Sequence, residues 1–472
     1  MTTSYAVEHP ADLEPSLVAH STYISRRRYL RIDSVLLLCV LLGLLDLMPA
    51  ALIVPGMTDL GRPALIVGVL MFCWWILVRL NPRLTVIGPQ PIRWAILAYW
   101  VSILLSYAFG YMRGLSAIEV NGANRALFYA AAFTGIILMV ADSVPNWERL
   151  NLLLRVFVYC GGFMAIVGLM QFILKYDITQ YLKPPGLQEH GLESDFVTRG
   201  VAIRVASTAF HYIEFSCVQA TTLPFAIHYA MFAQTRKQRR RFLVLALMIG
   251  AAVPVTISRT GILALVAVIV VMVPVWGWRT RYNFLGMAVG LAGMLMVVKP
   301  GLLGTVRDLF TNANQDSSVT ARTGRYGMVG QYFAQTPWFG RGTGTWIPPQ
   351  YQILDNYWFT FALDNGIVGV TMLAALHVTA ITLAVVARRR VTDPADRHLC
   401  TVLISAQLVA LLVAATFDSL SFTTYAMTLA VTVGACGTVW RFSHPERRVR
   451  TSATRRIIAV ESSVPASVDQ LR

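Results

Sequence analysis

The stretch LLLRVFVYCGGFMAIVGLMQFIL, residues 152–174, decides the fold class of this chain. Its only charged side chain is Arg155. A helix of about 20 apolar residues crosses the roughly 30 Å hydrocarbon core of a bilayer. A helix also satisfies its own backbone hydrogen bonds, which lipid cannot do. The stretch therefore predicts a transmembrane helix.

The same apolar pattern recurs on both sides of this stretch and gives twelve candidate spans. They lie at about 34–55, 63–80, 92–109, 123–141, 152–174, 212–234, 242–257, 260–278, 282–298, 365–387, 398–416 and 421–440. The predicted fold class is all-α, a polytopic membrane protein with about twelve transmembrane helices.

The composition agrees with a membrane protein. Of the 472 residues, 56% are hydrophobic and only 14% are charged, and the net charge is +16. A soluble domain has about 25% charged residues, so the composition argues against a soluble enzyme. The basic excess has two explanations, nucleic-acid binding and membrane topology. The six cysteines lie in or beside apolar stretches and form no C-x-x-C pair, which predicts ordinary buried thiols.

The positions of the cations favour the topology explanation. Cytoplasmic segments of membrane proteins carry an excess of Lys and Arg. With the N-terminus in the cytoplasm, the Arg clusters at 26–28, 239–241 and 388–390 all fall inside, as do most of the 40 lysines and arginines. We therefore expect a protein of the cytoplasmic (inner) membrane with both termini in the cytoplasm and no nucleic acid as partner. The predicted divisions are a tail at 1–33, a transmembrane domain at 34–441 and a tail at 442–472.

Two long connections fall on the outer side in this topology, at about 175–211 and 299–354. Most connections have about 4–6 residues, and loops beyond about 12–15 are usually functional or disordered. These two contain aromatic residues, Gly, Pro and charges of both signs, unlike a flexible linker. They are expected to carry the function.

Four arginines stand in compact patterns on the outer side, against the bias that keeps cations inside. They are Arg204, Arg259, Arg322 and Arg325. Planar guanidinium groups bind phosphate through paired hydrogen bonds, so a cluster of them would fit an anionic head group. The alternative for each one is pairing with lipid phosphate or a carboxylate. Arg259 is the strongest candidate, because Ser258 predicts the cap of a helix whose N-terminus attracts anions.

Carboxylates near these arginines are candidates for a general base, which a sugar hydroxyl needs to become a good nucleophile. The main ones are Asp355, where the second outer loop re-enters the membrane, and Glu214; Asp364, Asp46 and Asp418 are others. The structural alternative for Asp355 is a helix cap. His211 and Glu214 lie one helical turn apart, but without a third ligand they predict an interfacial pair and no metal site.

Taken in order, these patterns resemble the family of O-antigen ligases and Wzy-type polysaccharide polymerases, over roughly residues 150–420. The resemblance is carried by Ser258–Gly261, by Arg322–Arg325 running on to Trp338–Gly344, and by Asp355–Trp358 followed by Leu363–Gly369. It implies an integral-membrane glycosyltransferase that uses a polyprenyl-diphosphate-linked oligosaccharide on the outer face of the membrane. Family arginines in these motifs grip the diphosphate, a role that would fall to Arg204, Arg259, Arg322 and Arg325.

One departure from the family pattern bears on the reaction. Ligases of the family have a His near the end of the large loop as the proposed base, and this sequence has Asp355 there. The departure favours an exopolysaccharide repeat-unit polymerase over a ligase. Asp355 or Glu214 would be the base of an inverting, metal-independent transfer with no cofactor. The aromatic candidates for stacking on sugar rings, or alternatively for an interfacial belt, are Trp338, Trp346, Tyr357 and Trp358.

Three other functions stay open at this point. The first is a ligase-type transferase to a lipid or protein acceptor. The second is a flippase or transporter for lipid-linked oligosaccharide, which would need cations in both halves of the membrane, whereas the patterned arginines gather outside. The third is a non-catalytic subunit of an envelope assembly complex. The expected partners are the lipid-linked donor and acceptor and the bilayer, with a chain-length regulator or a flippase as further candidates.

Overall fold

The computed structural model describes residues 33–445 apart from 58, 81–87, 191–196, 200, 201, 312–323 and 349. Fourteen α-helices lie in this part of the chain. They are α1 Ser34–Asp46, α2 Pro63–Arg79, α3 Pro91–Arg113, α4 Ala117–Ser143, α5 Trp147–Leu174, α6 Tyr212–Met231, α7 Arg236–Val255, α8 Arg259–Met272, α9 Trp278–Val298, α10 Leu302–Thr311, α11 Tyr326–Gln335, α12 Tyr357–Arg390, α13 Pro394–Thr416 and α14 Thr423–Ser443. The strands are short: β1 Leu52–Ile53 pairs with β2 Gln188–Glu189, and β3 Val197–Arg199 pairs with β4 Ala202–Arg204, both antiparallel.

Six of the described helices are long and apolar enough to cross a membrane: α3, α4, α5, α9, α12 and α13. Shorter apolar helices are α1, α2 and α8. The chain is thus an all-α, multi-pass membrane protein, as predicted. Each of the twelve predicted spans overlaps one helix, but the number of membrane crossings stays a prediction.

The first predicted span, 34–55, is longer than the helix that the structure shows there. Helix α1 ends at Asp46, and the chain continues as a turn and then as β1. Pro49 accounts for the end, because proline disfavours helical backbone in the residue before it and has no N–H to donate. The segment after the helix is tied to the first predicted outer loop, because the amide of Ala50 donates to the carbonyl of Thr208 at 2.8 Å.

Helix α12 is interrupted at Gly366, and the loop 337–344 fills the interruption. The backbone of Gly366 has φ 63° and ψ −169°, outside the helical range. The amides of Arg341 and Gly342 donate to the carbonyls of Leu363 and Asp364 at 2.9 and 3.0 Å. Across the break, the amides of Ile367 and Val368 donate to the carbonyls of Pro337 and Trp338 at 2.8 and 3.2 Å. The inserted loop therefore satisfies backbone groups that a broken helix would leave unpaired in a membrane.

Glycine is required on both sides of this contact. A Cβ on Gly366 would lie 2.3 Å from the carbonyl oxygen of Trp338. A Cβ on Gly340, which has φ 73°, would lie 2.2 Å from the carbonyl oxygen of Asp364. Two sequence motifs, 338–344 and 363–369, thus form the two halves of one interlocked backbone arrangement.

Replacing Gly366 by alanine is expected to destabilise the protein. Its φ and ψ lie in a region populated essentially by glycine, and holding another residue there costs about 1–3 kcal/mol before the contact with Trp338 is counted. The midpoint of thermal unfolding of the purified protein should fall by several degrees. The matched control is Gly290→Ala on α9, where a Cβ meets nothing within 4 Å. An unchanged midpoint for Gly366→Ala would show that the interlocked arrangement does not hold the fold.

Candidate functional site

A cavity of about 540 Å³ lies where the second predicted outer loop meets the broken helix α12. Its wall is formed by parts of α3, α4, α12 and α14 and by the loops at about 210–211, 343–355 and 417–422. Five of the candidate residues from the sequence line it: Trp346, Asp355, Tyr357, Asp364 and Asp418. The cavity therefore brings together parts of the motifs 338–344, 355–358 and 363–369.

Asp355 enters the cavity from a strained turn and is not a helix cap. Its backbone has φ 53°, in the left-handed region that few residues other than glycine adopt. The cap of α12 is the next residue, Asn356, whose side chain accepts from the amide of Phe359. Asn356 also donates to the carbonyl of Ala415 at 2.9 Å, which fixes the turn against α13. The strained backbone of Asp355 is the kind of feature that clusters at functional sites.

His211 lies in the same cavity and brings an imidazole close to Asp355. Burial lowers the pKa of His211 to about 4; the charge of Asp355 raises this pKa and the charge of Arg204 lowers it. The ring is therefore neutral at pH 7. Its Nδ1 accepts from the amide of Ile213 at 3.2 Å, so the ring proton sits on Nε2, where it can be donated.

Three of the four predicted diphosphate-binding arginines, Arg204, Arg259 and Arg325, belong to the described residues, and none of the three is in the cavity wall. The guanidinium of Arg204 lies 4.5 Å from the ring centroid of Tyr212 and donates to the hydroxyl of that residue, next to His211. Arg325 donates to the carbonyl of Ile353, which lines the cavity close to Asp355. Arg322 lies outside the described residues.

The segment 258–261 places Arg259 at the start of α8. Ser258 caps the helix by accepting from the amide of Gly261 at 3.2 Å, as predicted from the sequence. Gly261 lets α8 approach α6, because a Cβ there would lie 2.4 Å from Cβ of Ser216. Thr260 donates to the carbonyl of Thr416 at 3.3 Å, beside the loop 417–422 of the cavity wall. Arg259 is thereby held half-buried at a helix N-terminus, where the helix dipole adds to its attraction for anions.

Glu214 has a different environment from Asp355. It is fully buried, and its carboxylate accepts from the amides of Phe210 and Tyr425 at 2.9 and 3.1 Å. It does not belong to the described wall of the cavity. The contacts give Glu214 the role of joining the start of α6 to the start of α14, and they favour Asp355 over Glu214 as the base.

The four predicted aromatic residues divide into two pairs. Trp346 and Tyr357 line the cavity. Trp358 donates from Nε1 to the carbonyl of Leu411 at 3.2 Å, and Trp338 is 66% exposed. Trp338 and Trp358 are thus absent from the described wall, and their positions favour the interfacial-belt interpretation.

A comparison with known protein families identifies the part of the chain that contains most of these residues. The family described as O-antigen ligase matches residues 242–374. The chain carries an O-antigen ligase domain. The family resemblance predicted from the motifs is thereby confirmed. No curated protein matches the chain.

The O-antigen ligase domain holds Arg259, Arg325 and Asp355, but part of the cavity wall comes from outside it. Arg62, which precedes α2, and Arg125, on α4, both line the cavity. Arg62 donates to Thr423 Oγ1 at 2.6 Å, and the hydroxyl of Tyr129, one turn after Arg125, lies 3.0 Å from the same oxygen. The sequence interpretation missed both arginines. For Arg125 a signal was present, because it falls inside the predicted span 123–141, where a charged residue has a functional role by default.

Two further carboxylates of the cavity wall differ in role. Asp364 Oδ1 accepts from the amides of Thr345 and Trp346 at 3.1 and 2.8 Å and so holds the turn that presents Trp346. Asp418, in the loop 417–422, is half-buried, and the loss of solvent around its carboxyl group raises its pKa to about 6. Among the described residues, no three His, Cys, Asp or Glu side chains group as they would around a metal ion.

Proposed function

We propose that this protein is a glycosyltransferase that extends or transfers polyprenyl-diphosphate-linked oligosaccharide at the outer face of the cytoplasmic membrane. The observation that carries the proposal is the shared cavity, in which Asp355 and His211 lie with Arg62 and Arg125 next to the O-antigen ligase domain's motifs. A base and several cations around one space of about 540 Å³ suit a reaction between a hydroxyl and a sugar diphosphate.

The transfer needs one proton acceptor and one stabilised leaving group. Asp355 takes the proton of an acceptor sugar hydroxyl as the hydroxyl oxygen attacks the anomeric carbon of the donor. The bond from that carbon to the phosphate oxygen breaks, and its electron pair leaves with the polyprenyl diphosphate. Preorganised guanidinium groups stabilise the developing charge, a role for Arg204, Arg259, Arg322 and Arg325. Attack opposite to the leaving group inverts the anomeric configuration.

His211 supports Asp355 in this scheme. As a neutral ring with its proton on Nε2, it can donate a hydrogen bond to the carboxylate or to the acceptor hydroxyl and orient either one. The family's usual His near the end of the large loop is replaced by Asp355, and an imidazole reaches the cavity from the other outer loop instead. Arginines and a carboxylate–imidazole pair supply the needed charges without a metal or cofactor.

A carboxylate as the general base, in place of the histidine usual in ligases of the family, favours a repeat-unit polymerase for exopolysaccharide or O-antigen over a ligase. Donor and acceptor are then both lipid-linked glycans, and the stacking of their sugars falls to Trp346 and Tyr357 in the cavity wall. A chain-length regulator and a flippase are the expected partners in the envelope. The positive-inside bias supports a topology with both termini in the cytoplasm and the cavity at the outer face.

The size distribution of the products tests the proposal. Purified protein incubated with an undecaprenyl-diphosphate-linked oligosaccharide should yield a ladder of longer lipid-linked glycans. A single transfer to a second lipid or to a protein would support a ligase instead. Movement of unchanged substrate across the membrane of a proteoliposome, without new glycosidic bonds, would replace the enzyme with a flippase.

A further inference from the structure

A second cavity, of about 290 Å³, shares no lining residue with the first. It is a groove between α6, α7, α8 and α9, and most of its wall is apolar. The residues that α7 contributes follow one face of that helix: Arg239, Leu243, Ala246, Leu247 and Gly250. Those of α9 also follow one face, and all but Asn283 repeat the spacing on α7: Thr280, Asn283, Phe284, Met287, Ala288 and Leu291.

The polar side chains of this groove are at one end. Arg239, Thr280 and Asn283 all lie in the first two turns of their helices, and the basic run 236–241 is at the same end. At the other end, the nearest atom to a Cβ on Gly250 would be Leu291 Cδ2, at 3.7 Å. The two helices therefore run in the same direction along the groove, from its charged end to its apolar end.

The length of the groove matches one leaflet of a bilayer. From Arg239 to Gly250, and from Thr280 to Leu291, the rise of an α-helix gives about 17 Å. Half of a hydrocarbon core of about 30 Å is about 15 Å. The groove is thus complementary to a lipid in shape and polarity. Its cationic, hydrogen-bonding end lies at the membrane surface, and its apolar part is about as long as one acyl chain.

We propose that this groove binds an anionic phospholipid of the cytoplasmic leaflet. Its phosphate head group contacts Arg239, Thr280 and Asn283, and one acyl chain lies against Leu247, Gly250 and Leu291. Basic pockets between membrane helices on the cytoplasmic side are a recognised site for anionic head groups. The basic run places this end of α7 at the cytoplasmic surface, so the site is separate from the one proposed for glycan transfer and does not depend on it.

Titration of the full-length purified protein with defined lipids tests the site. Native mass spectrometry with dioleoylphosphatidylglycerol should show one preferred adduct, and dioleoylphosphatidylcholine should bind more weakly. Arg239→Ala is expected to lower the affinity for the anionic lipid about fivefold, the effect of one basic residue at a charged membrane surface. The matched control is Arg240→Ala, which removes an exposed arginine of the same run that does not line the groove.

A second variant tests the apolar part. Gly250→Leu fills the trough, where a Cβ meets only ordinary van der Waals contacts, and should reduce binding of both lipids without loss of helix. Equal effects of Arg239→Ala and Arg240→Ala would mean general electrostatic attraction and would overturn the site. A preference for the neutral lipid, or a dimer that forms in place of the lipid adduct, would overturn it as well.

Discussion

Replacement of Arg259 by alanine is expected to lower glycan transfer by about a hundredfold to a thousandfold, the usual effect of losing one donor that stabilises transition-state charge. The arginine stands half-buried on the first turn of α8, while its neighbours carry the local structure. Ser258 caps the helix and Gly261 allows its contact with α6. Removing the guanidinium therefore leaves the cap and the helix contact in place, and membrane insertion and the thermal midpoint should change little.

A substitution by lysine separates charge from geometry at this position. Arg259→Lys keeps one positive charge but loses the planar fork that binds phosphate through two parallel bonds, so transfer should also be impaired. Arg307→Ala is the matched control, since this arginine of the second predicted outer loop is exposed on α10. Full elongation by Arg259→Ala in reconstituted membranes would remove Arg259 from the site. Equal losses with Arg307→Ala would indicate a general charge effect.

The sequence predicted the helices well because each span has to cross the bilayer by itself, and this requirement does not depend on the other spans. A run of about 20 apolar residues has to be a helix whatever its neighbours are, so the predicted spans overlap helices along the whole described chain. The clear error, the extension of the first span to residue 55, arose where a proline ended a helix inside an apolar run.

The break in α12 could not be read from the sequence in the same way. The motif 363–369 was assigned to the start of a span and the motif 338–344 to a loop, and each alone is compatible with those roles. Their connection depends on carbonyl and amide groups meeting across the break, such as Arg341 with Leu363 and Ile367 with Pro337. Backbone pairing between distant segments has no one-dimensional signature, so only the structure shows why both motifs need glycine.

Only part of the site was predicted, because the rest also depends on contacts between distant segments of the chain. Asp355, Trp346 and Tyr357 were named from local patterns and do line the cavity. His211 was predicted to form an interfacial pair with Glu214, and Arg62 was not identified as a candidate. His211 becomes a wall residue where α6 and α14 meet at Glu214, which accepts from Phe210 and Tyr425. Arg62 becomes one through its hydrogen bond to Thr423 at the start of α14. Long-range packing of this kind decides which side chains share a space.

The second large effect is expected at Asp355. Asp355→Asn should eliminate turnover and leave donor binding intact, because an amide cannot take the proton of the acceptor hydroxyl although it keeps the shape of the side chain. Asparagine also tolerates the left-handed backbone, φ 53°, that this residue adopts, so the turn before α12 is preserved. An alanine here would add strain and mix a structural effect with the chemical one.

Two measurements on Asp355→Asn decide between a base and a structural residue. Single-turnover elongation should fall by at least about a hundredfold, within the range for general acid–base catalysis, while the affinity for undecaprenyl diphosphate stays within about twofold of the unmodified protein. Asp308→Asn, which changes an exposed carboxylate on α10, is the control and should elongate glycan normally. If binding of the lipid diphosphate falls together with turnover, Asp355 has a structural role in the turn next to α13. The proton acceptor would then be sought in Asp418, the other carboxylate of the cavity wall that lies in a loop. A fully active Asp355→Asn would remove the residue from the reaction altogether.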